Sequence, residues 1–213
     1  MNARTSRHKE RPRLLALPSP ALARADDVTL ALAAAGGDPR AAAVLWDRFS
    51  PLVRRMLTRT LGPARDVEDL VHEAFFRLLK RDRALRGVQN LESLFVAATV
   101  RILVSVLRRR SVRRLLLGAK PDPIEHLDRV QAPEMLPALY DVLDGLTPRT
   151  RVAFALRYFE GMQVGEIALA LAISETSVER RVAKAARHVL GLARPDWWLG
   201  SHLAEAEPAG NLP

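Results

Sequence analysis

The sequence predicts an all-α fold made of two small helical domains joined by a flexible linker, the second containing a helix-turn-helix. Three observations carry this. Apolar residues recur at intervals of three and four, as in Leu45, Phe49, Leu52, Val53 and Met56, which places them on one face of a helix. Period-two alternation, the mark of a half-buried strand, is missing. Between the two helical blocks, residues 118–137 carry prolines at 121, 123, 133 and 137 with mixed charge, a composition suited to a tether. The expected organisation is a disordered basic arm (1–25), a helical domain (26–117), a linker (118–134), a second helical domain (135–190) and a tail (191–213).

The first 25 residues hold Arg4, Arg7, Lys9, Arg11 and Arg13 with no apolar stretch behind them, so they read as a frayed basic arm rather than a secretory signal, with an organellar transit peptide as the alternative. No run of 18 apolar residues exists to span a membrane, and the absence of cysteine excludes a disulfide framework, a thiolate metal site and a cysteine nucleophile. A cytoplasmic protein is expected. The net charge of +9 attracts polyanions, but 29 of the 33 cations are arginine in an alanine-rich chain, which a GC-rich genome also produces. The placement of those charges therefore has to decide.

In the first block, ARDVEDLVHEAFFRLLK (64–80) forms a helix whose apolar sector holds Val67, Leu70, Val71, Ala74 and Leu78, with Phe75 at its margin. Phe76 projects from the other side among Asp69, His72 and Glu73, the composition of an interaction hot spot; the bland alternative is a stray exposed aromatic. HEAFF is not a zinc-protease motif, because Phe76 stands where the second histidine must be. The next helix, 91–110, is apolar nearly all round and so must be largely buried, except for a strip of Leu94, Ala98, Arg101, Ser105 and Arg108. Arg108, Arg109, Arg110, Arg113 and Arg114 then place five arginines in seven residues, enough to hold an array of phosphates or to complement a helix C-terminus.

In the second block, Thr147 with Pro148 starts a helix and Gly161 closes it, giving a helix over 148–160. A short helix over 164–170, a break at 171–174 and a helix over 175–190 capped by Ser174 follow. Ala168 permits close approach, and Ile167, Leu171, Ile173, Val178 and Val182 have the spacing of two helices sharing one core across a tight turn. On the last helix Val178, Val182, Ala185 and Val189 share a sector, while Thr176, Arg180, Lys184 and Arg187 fall opposite, flanked by Ser177 and Arg181. A cationic row of this kind suits a helix entering a major groove, although a solvated face of an ordinary hairpin has a similar composition. Ala172 stands where such turns usually carry glycine. In the tail, Trp197 and Trp198 read as a patch docking on the second domain, with a chance pairing as the alternative.

The arrangement resembles the extracytoplasmic-function (ECF) group of bacterial sigma factors, over roughly residues 33–117 and 135–190. The matching residues are Asp66, Asp69, Leu70, Glu73 and Phe75 in the first block and LTPRTRVAFALRYFEGMQVGEIALALAISETSVERRVAKA in the second. The resemblance implies core RNA polymerase and promoter DNA as partners, and often an anti-sigma factor. Joined to the reading of the helix faces, it gives as expected sites Asp66, Asp69, Leu70, His72, Glu73 and Phe76 for polymerase binding, Phe95, Arg101, Ser105, Arg108, Arg109 and Arg110 for the minus-ten element, and Thr176, Ser177, Arg180, Arg181, Lys184 and Arg187 for the minus-thirty-five element. His72 replaces the family's usual glutamine, a change a clamp contact tolerates; Leu94 replaces its tryptophan and Arg101 and Ser105 its Asn and Asp, departures that bear on the minus-ten preference and on melting, and Glu179 replaces a common lysine, which bears on minus-thirty-five affinity or preference.

Two other readings stay open. One is a sigma-derived interaction protein that does not melt DNA, motivated by Arg101 and Ser105; the other is a DNA-binding regulator whose first domain senses a signal. An enzyme is not expected, since five scattered histidines without a Gly-rich phosphate loop or G-x-S-x-G leave no catalytic constellation. No cofactor, metal, small-molecule substrate or membrane partner is expected either.

Overall fold

The computed structural model describes residues 22, 24–62, 66–79, 90–117 and 135–192. The expected linker, with Trp197 and Trp198 and the rest of the arm and tail apart from residues 22, 24, 25, 191 and 192, lies outside the described residues. All regular structure within them is helical: α1 (Asp27–Ala35), α2 (Pro39–Leu61), α3 (Val67–Leu79), α4 (Leu91–Leu117), α5 (Met135–Asp144), α6 (Pro148–Tyr158), α7 (Val164–Leu171) and α8 (Glu175–Leu192).

Local chemistry sets the helix ends. Asp26 accepts from the Thr29 amide (2.9 Å) and hydroxyl (2.8 Å), and Asp38 accepts from the Arg40 amide (2.8 Å) just ahead of Pro39. Gly62 ends α2 at φ 81° and Gly161 follows α6 at φ 69°, both in the region that favours glycine. The helix expected over 148–160 stops at Tyr158, and the Thr147 side chain pairs with the Thr150 hydroxyl (2.8 Å) instead of capping the backbone. The helix expected over 91–110 runs seven residues further, to Leu117.

In the first half, α2, α3 and α4 pack on a stack of rings: Phe49 lies 4.5 Å from Phe95, and Phe75 lies 4.8 Å from Phe95. Phe95 is fully buried there, which corrects its expected role as a stacking surface for a minus-ten base; an aromatic in the middle of a core has no face left for a ligand. Leu70, expected at the polymerase contact, is likewise buried and supports α3 from behind.

The second half has a core of its own, built from Leu139, Leu143, Leu146, Phe154, Ala185 and Val189. It also docks on the first half. Helix α4 packs against α6 and α7, and α2 against α6, so that Val152, Leu156, Ile167 and Leu171 join the same buried cluster as Leu57, Leu103 and Leu107. This accounts for the apolar circumference of α4, which has α2 and α3 on one side and α6 and α7 on the other.

The α7–α8 turn contains the backbone feature its sequence foreshadows. Ala172 adopts φ 52° and ψ 54°, a left-handed conformation that costs an L-residue about 1–2 kcal/mol. Ala172→Gly should raise stability by about 0.5–1 kcal/mol once the greater freedom of glycine in the unfolded chain is offset, which is roughly 1–4 °C in Tm. An unchanged or lower Tm in a thermal melt would contradict the strain.

Candidate functional site

Three exposed features lie on separate helices. The first is the outer side of α3. Asp66, Asp69 and His72 are exposed, Glu73 is half-buried beside Arg77, and Phe76 is 58% exposed. His72 Nδ1 donates to the Glu68 carbonyl (2.8 Å), and its ring lies 4.7 Å from that of Trp46, which also abuts Phe75 at 4.6 Å. Trp46 therefore braces this face from α2. Sequence reasoning missed it because Trp46 directly follows Leu45 and falls outside the main apolar stripe.

Beside that face, Glu68 accepts two hydrogen bonds from Arg54 (2.5 and 2.9 Å), and this pairing holds the Glu68 carboxyl below its ordinary pKa. A carboxyl depressed in the fold adds stability at pH values above its unfolded pKa and loses that contribution as the pH falls through the folded value. Both side chains are substantially exposed, so the pair contributes only about 0–1 kcal/mol. Glu68→Gln should lower stability by that amount at neutral pH and leave it unchanged in strong acid; an equal loss at both pH values in chemical denaturation would refute the assignment.

The second feature is the C-terminal part of α4. Arg101, Arg108, Arg109 and Arg113 are exposed, and Ser105, Arg108, Arg109, Val112, Arg113 and Leu116 line a shallow groove. Arg110, expected at minus-ten DNA, does not line this groove: half-buried, it donates to the Leu61 carbonyl (3.4 Å) and lies 3.8 Å from Asp66. Arg114 is also turned inward, to Asp144. The exposed strip is shorter than the sequence suggests, because Ala98 is buried and Leu94 half-buried.

The third feature is α8. Its apolar face buries Val178, Ala185 and Val189, with Val182 half-buried, and turns Thr176, Glu179, Arg180, Lys184 and Arg187 to solvent. Ser174 caps the helix, its Oγ accepting from the Ser177 amide (3.3 Å) and donating to the Ser177 hydroxyl (2.9 Å). Ser177 is thereby half-occupied in holding the turn. Arg181, expected to flank the outward row, folds back towards α6, with Nη1 3.5 Å from the Thr150 hydroxyl and Nε buried. Helix α7, which precedes the turn, is anchored by Glu166 accepting from the Gln163 amide (2.8 Å), and it leaves Leu169 83% exposed, a feature the sequence analysis did not single out.

Among the described residues no helix is long and apolar enough to cross a membrane, and no group of three or more His, Cys, Asp or Glu residues is placed to hold a metal ion.

Comparison with known proteins places these features in a family. A family model described as "ECF sigma factor" matches residues 26–193. The chain is 30% identical over 146 residues to the ferric citrate uptake sigma factor FecI of Escherichia coli (strain K12), covering 65% of this chain and 82% of that protein. It is 32% identical over 174 residues to the RNA polymerase sigma factor NccH of Alcaligenes xylosoxydans xylosoxydans, covering 75% and 90%. The fold is similar to that of CnrH, solved with the cytosolic domain of CnrY (TM-score 0.56, 23% identity, 80% of this chain and 99% of that one). It is also similar to the sigma factor RpoE of Bartonella quintana, solved with the anti-sigma factor NepR (TM-score 0.57, 16% identity, 71% and 96%). With the family match running from the cap of α1 through the end of α8, the chain belongs to the ECF sigma factor family.

Proposed function

We propose that this sigma factor divides its work among the three exposed features: α3 meets core RNA polymerase, the arginine-lined end of α4 meets the minus-ten region, and α8 reads the minus-thirty-five element. The observation that carries the reading is the α8 row, in which Arg180, Lys184 and Arg187 face solvent opposite a buried apolar seam and behind a tight turn. A helix with that polarity can enter a major groove, where cations meet phosphates and arginine can pair with guanine. Residues 26–117 and 135–190 act as the two domains, joined by 118–134. The protein acts in the cytoplasm, performs no catalysis of its own and lends promoter choice to the polymerase. An anti-sigma factor is a further partner, by analogy with the complex of RpoE with NepR.

The second reading, a sigma-derived protein that grips polymerase without melting DNA, also has an observation in its favour. Phe95 is the one aromatic of α4 and it is buried, so that helix offers an unpaired base no ring to stack on. Permanganate footprinting of promoter complexes with core polymerase separates the two: reactive thymines around the minus-ten region support initiation, and a wholly unreactive duplex supports the second reading.

A further inference from the structure

The last turns of α4 have two unlike sides. On one, the cations are neutralised: Arg110 lies 3.8 Å from Asp66, and Arg114 meets the Asp144 carboxylate and carbonyl, both at 3.1 Å. On the other, Ser105, Arg108, Arg109, Val112, Arg113 and Leu116 line a groove of about 550 Å³. Arg108, Arg109 and Arg113 find no carboxylate among the described residues. The apolar members are bare as well: Leu116 is 78% exposed, Leu115 beside it 85% and Val112 46%.

An exposed apolar cluster rimmed by unpaired cations suits an occupant that is both apolar and acidic. Phosphates alone would leave Val112, Leu115 and Leu116 in water. A second copy of the chain would set the same arginines against one another. Elsewhere among the described residues the two properties part. Val28 and Leu32 share α1 with Asp27 and no cation, Phe76 is ringed by acids, and Leu169 and Leu190 each stand alone on α7 and α8.

The chain carries an occupant of the required chemistry. Residues 193–213, ARPDWWLGSHLAEAEPAGNLP, hold Trp197, Trp198, Leu199 and Leu203 with three acids, Asp196, Glu205 and Glu207, against a single arginine. They also leave the fold close to the groove. His188, on the last turn of α8, packs on Gly145, where a Cβ would stand 2.9 Å from its Nε2. Gly145 adjoins Asp144, the residue that holds Arg114, and Leu115 and Leu116 follow directly on α4. Trp197 is five residues past Leu192, a reach of about 17 Å when extended. Glu205 comes seven residues after Trp198, enough to cover the ~10 Å of helix from Leu116 back to Arg109. Apolar residues then acids along the segment thus match leucines then arginines along the groove.

We infer that residues 193–213 dock in this groove, with Trp197 and Trp198 on Val112, Leu115 and Leu116 and the Glu205 and Glu207 carboxylates on Arg108 and Arg109. The tryptophans thereby seat on the first half of the molecule rather than on the second. The contact needs neither polymerase nor DNA, so it is tested in the free protein.

The chain has no cysteine, and Ser105→Cys with Ala204→Cys introduces one pair across the contact while keeping every leucine, tryptophan and charge that makes it. Mild oxidation should give an intramolecular cross-link severalfold faster than in a Leu169→Cys, Ala204→Cys protein, although Leu169 is the more exposed position. Adding Glu205→Gln and Glu207→Gln, or raising the salt, should slow it. Equal rates in the two pairs, a faster rate at Leu169, or cross-linked dimers would each overturn the inference.

A second measurement reads the tryptophans themselves. The tail contribution to emission is the difference between the parent and a Trp197→Phe, Trp198→Phe protein, since Trp46 is common to both. That contribution should be shielded from acrylamide in the parent and quenched severalfold more in a Val112→Asp, Leu116→Asp protein, whose changes lie at exposed positions outside the core. Tail tryptophans equally open to acrylamide in both would show that another segment, or none, fills the groove, and would refute the inference.

Discussion

A chain carrying Asp69→Ala, Glu73→Ala and Phe76→Ala is expected to drop out of pull-downs with core RNA polymerase while melting within a degree or two of the parent. None of the three supports the core: Asp69 and Phe76 are exposed, and Glu73 makes a single i,i+4 pair with Arg77 that contributes only about 0.3–0.5 kcal/mol. At an interface the same residues have a different weight. A large aromatic ringed by acids, backed by the Trp46–His72 contact, has the composition of a binding hot spot, where truncating one residue costs about 2 kcal/mol or more. The triple variant should therefore lose about a hundredfold in affinity or more. Binding within threefold of the parent, measured by competition at fixed salt, would move the polymerase contact elsewhere.

The second large effect is expected on α8. Arg180→Ala and Lys184→Ala should each weaken binding to a promoter fragment by about 1–3 kcal/mol if the side chain reaches a base edge. If it touches phosphate only, the loss is similar across sequences and the slope of log K against log salt falls by about one. Both residues are exposed and leave Val178, Ala185 and Val189 untouched, so the melting temperature should not change. Arg181→Ala gives an internal comparison: its guanidinium lies against Thr150, and its removal should disturb the packing of α8 on α6 more than DNA affinity. Promoter affinity unchanged in both Arg180→Ala and Lys184→Ala would remove α8 from the proposed interface.

Much of this molecule was legible because its signals are local. Helix periodicity, the Gly161 stop, the Ser174 cap and the left-handed Ala172 depend on residues a few positions apart. The faces of α3 and α8 could be drawn for the same reason, since an amphipathic helix states which side it buries. What sequence could not show was which neighbour covers an apolar surface. Helix α4 is apolar all round whether it lies inside its own bundle or is shared with a second one, and only the structure distinguishes these. Phe95 was misplaced on that account.

The arginines illustrate the limit for charge. Arg108, Arg109 and Arg110 are adjacent in sequence, yet successive residues on a helix point about 100° apart, so one of the three had to turn inward. Arg110 found the end of α2, while Arg114, one turn on, found Asp144 across the docked interface. Arg151 gave no sign of its burial at all: its partners are a backbone carbonyl 91 positions away and a carboxylate at the end of α5.

The measurement that bears most directly on the whole account is transcription from sheared genomic DNA of the source organism by purified core RNA polymerase, with and without this protein, reading the 5′ ends of the transcripts. Adding the protein should create a discrete set of new 5′ ends whose upstream sequences share two conserved blocks at one fixed spacing. The same 5′ ends in both reactions would contradict it.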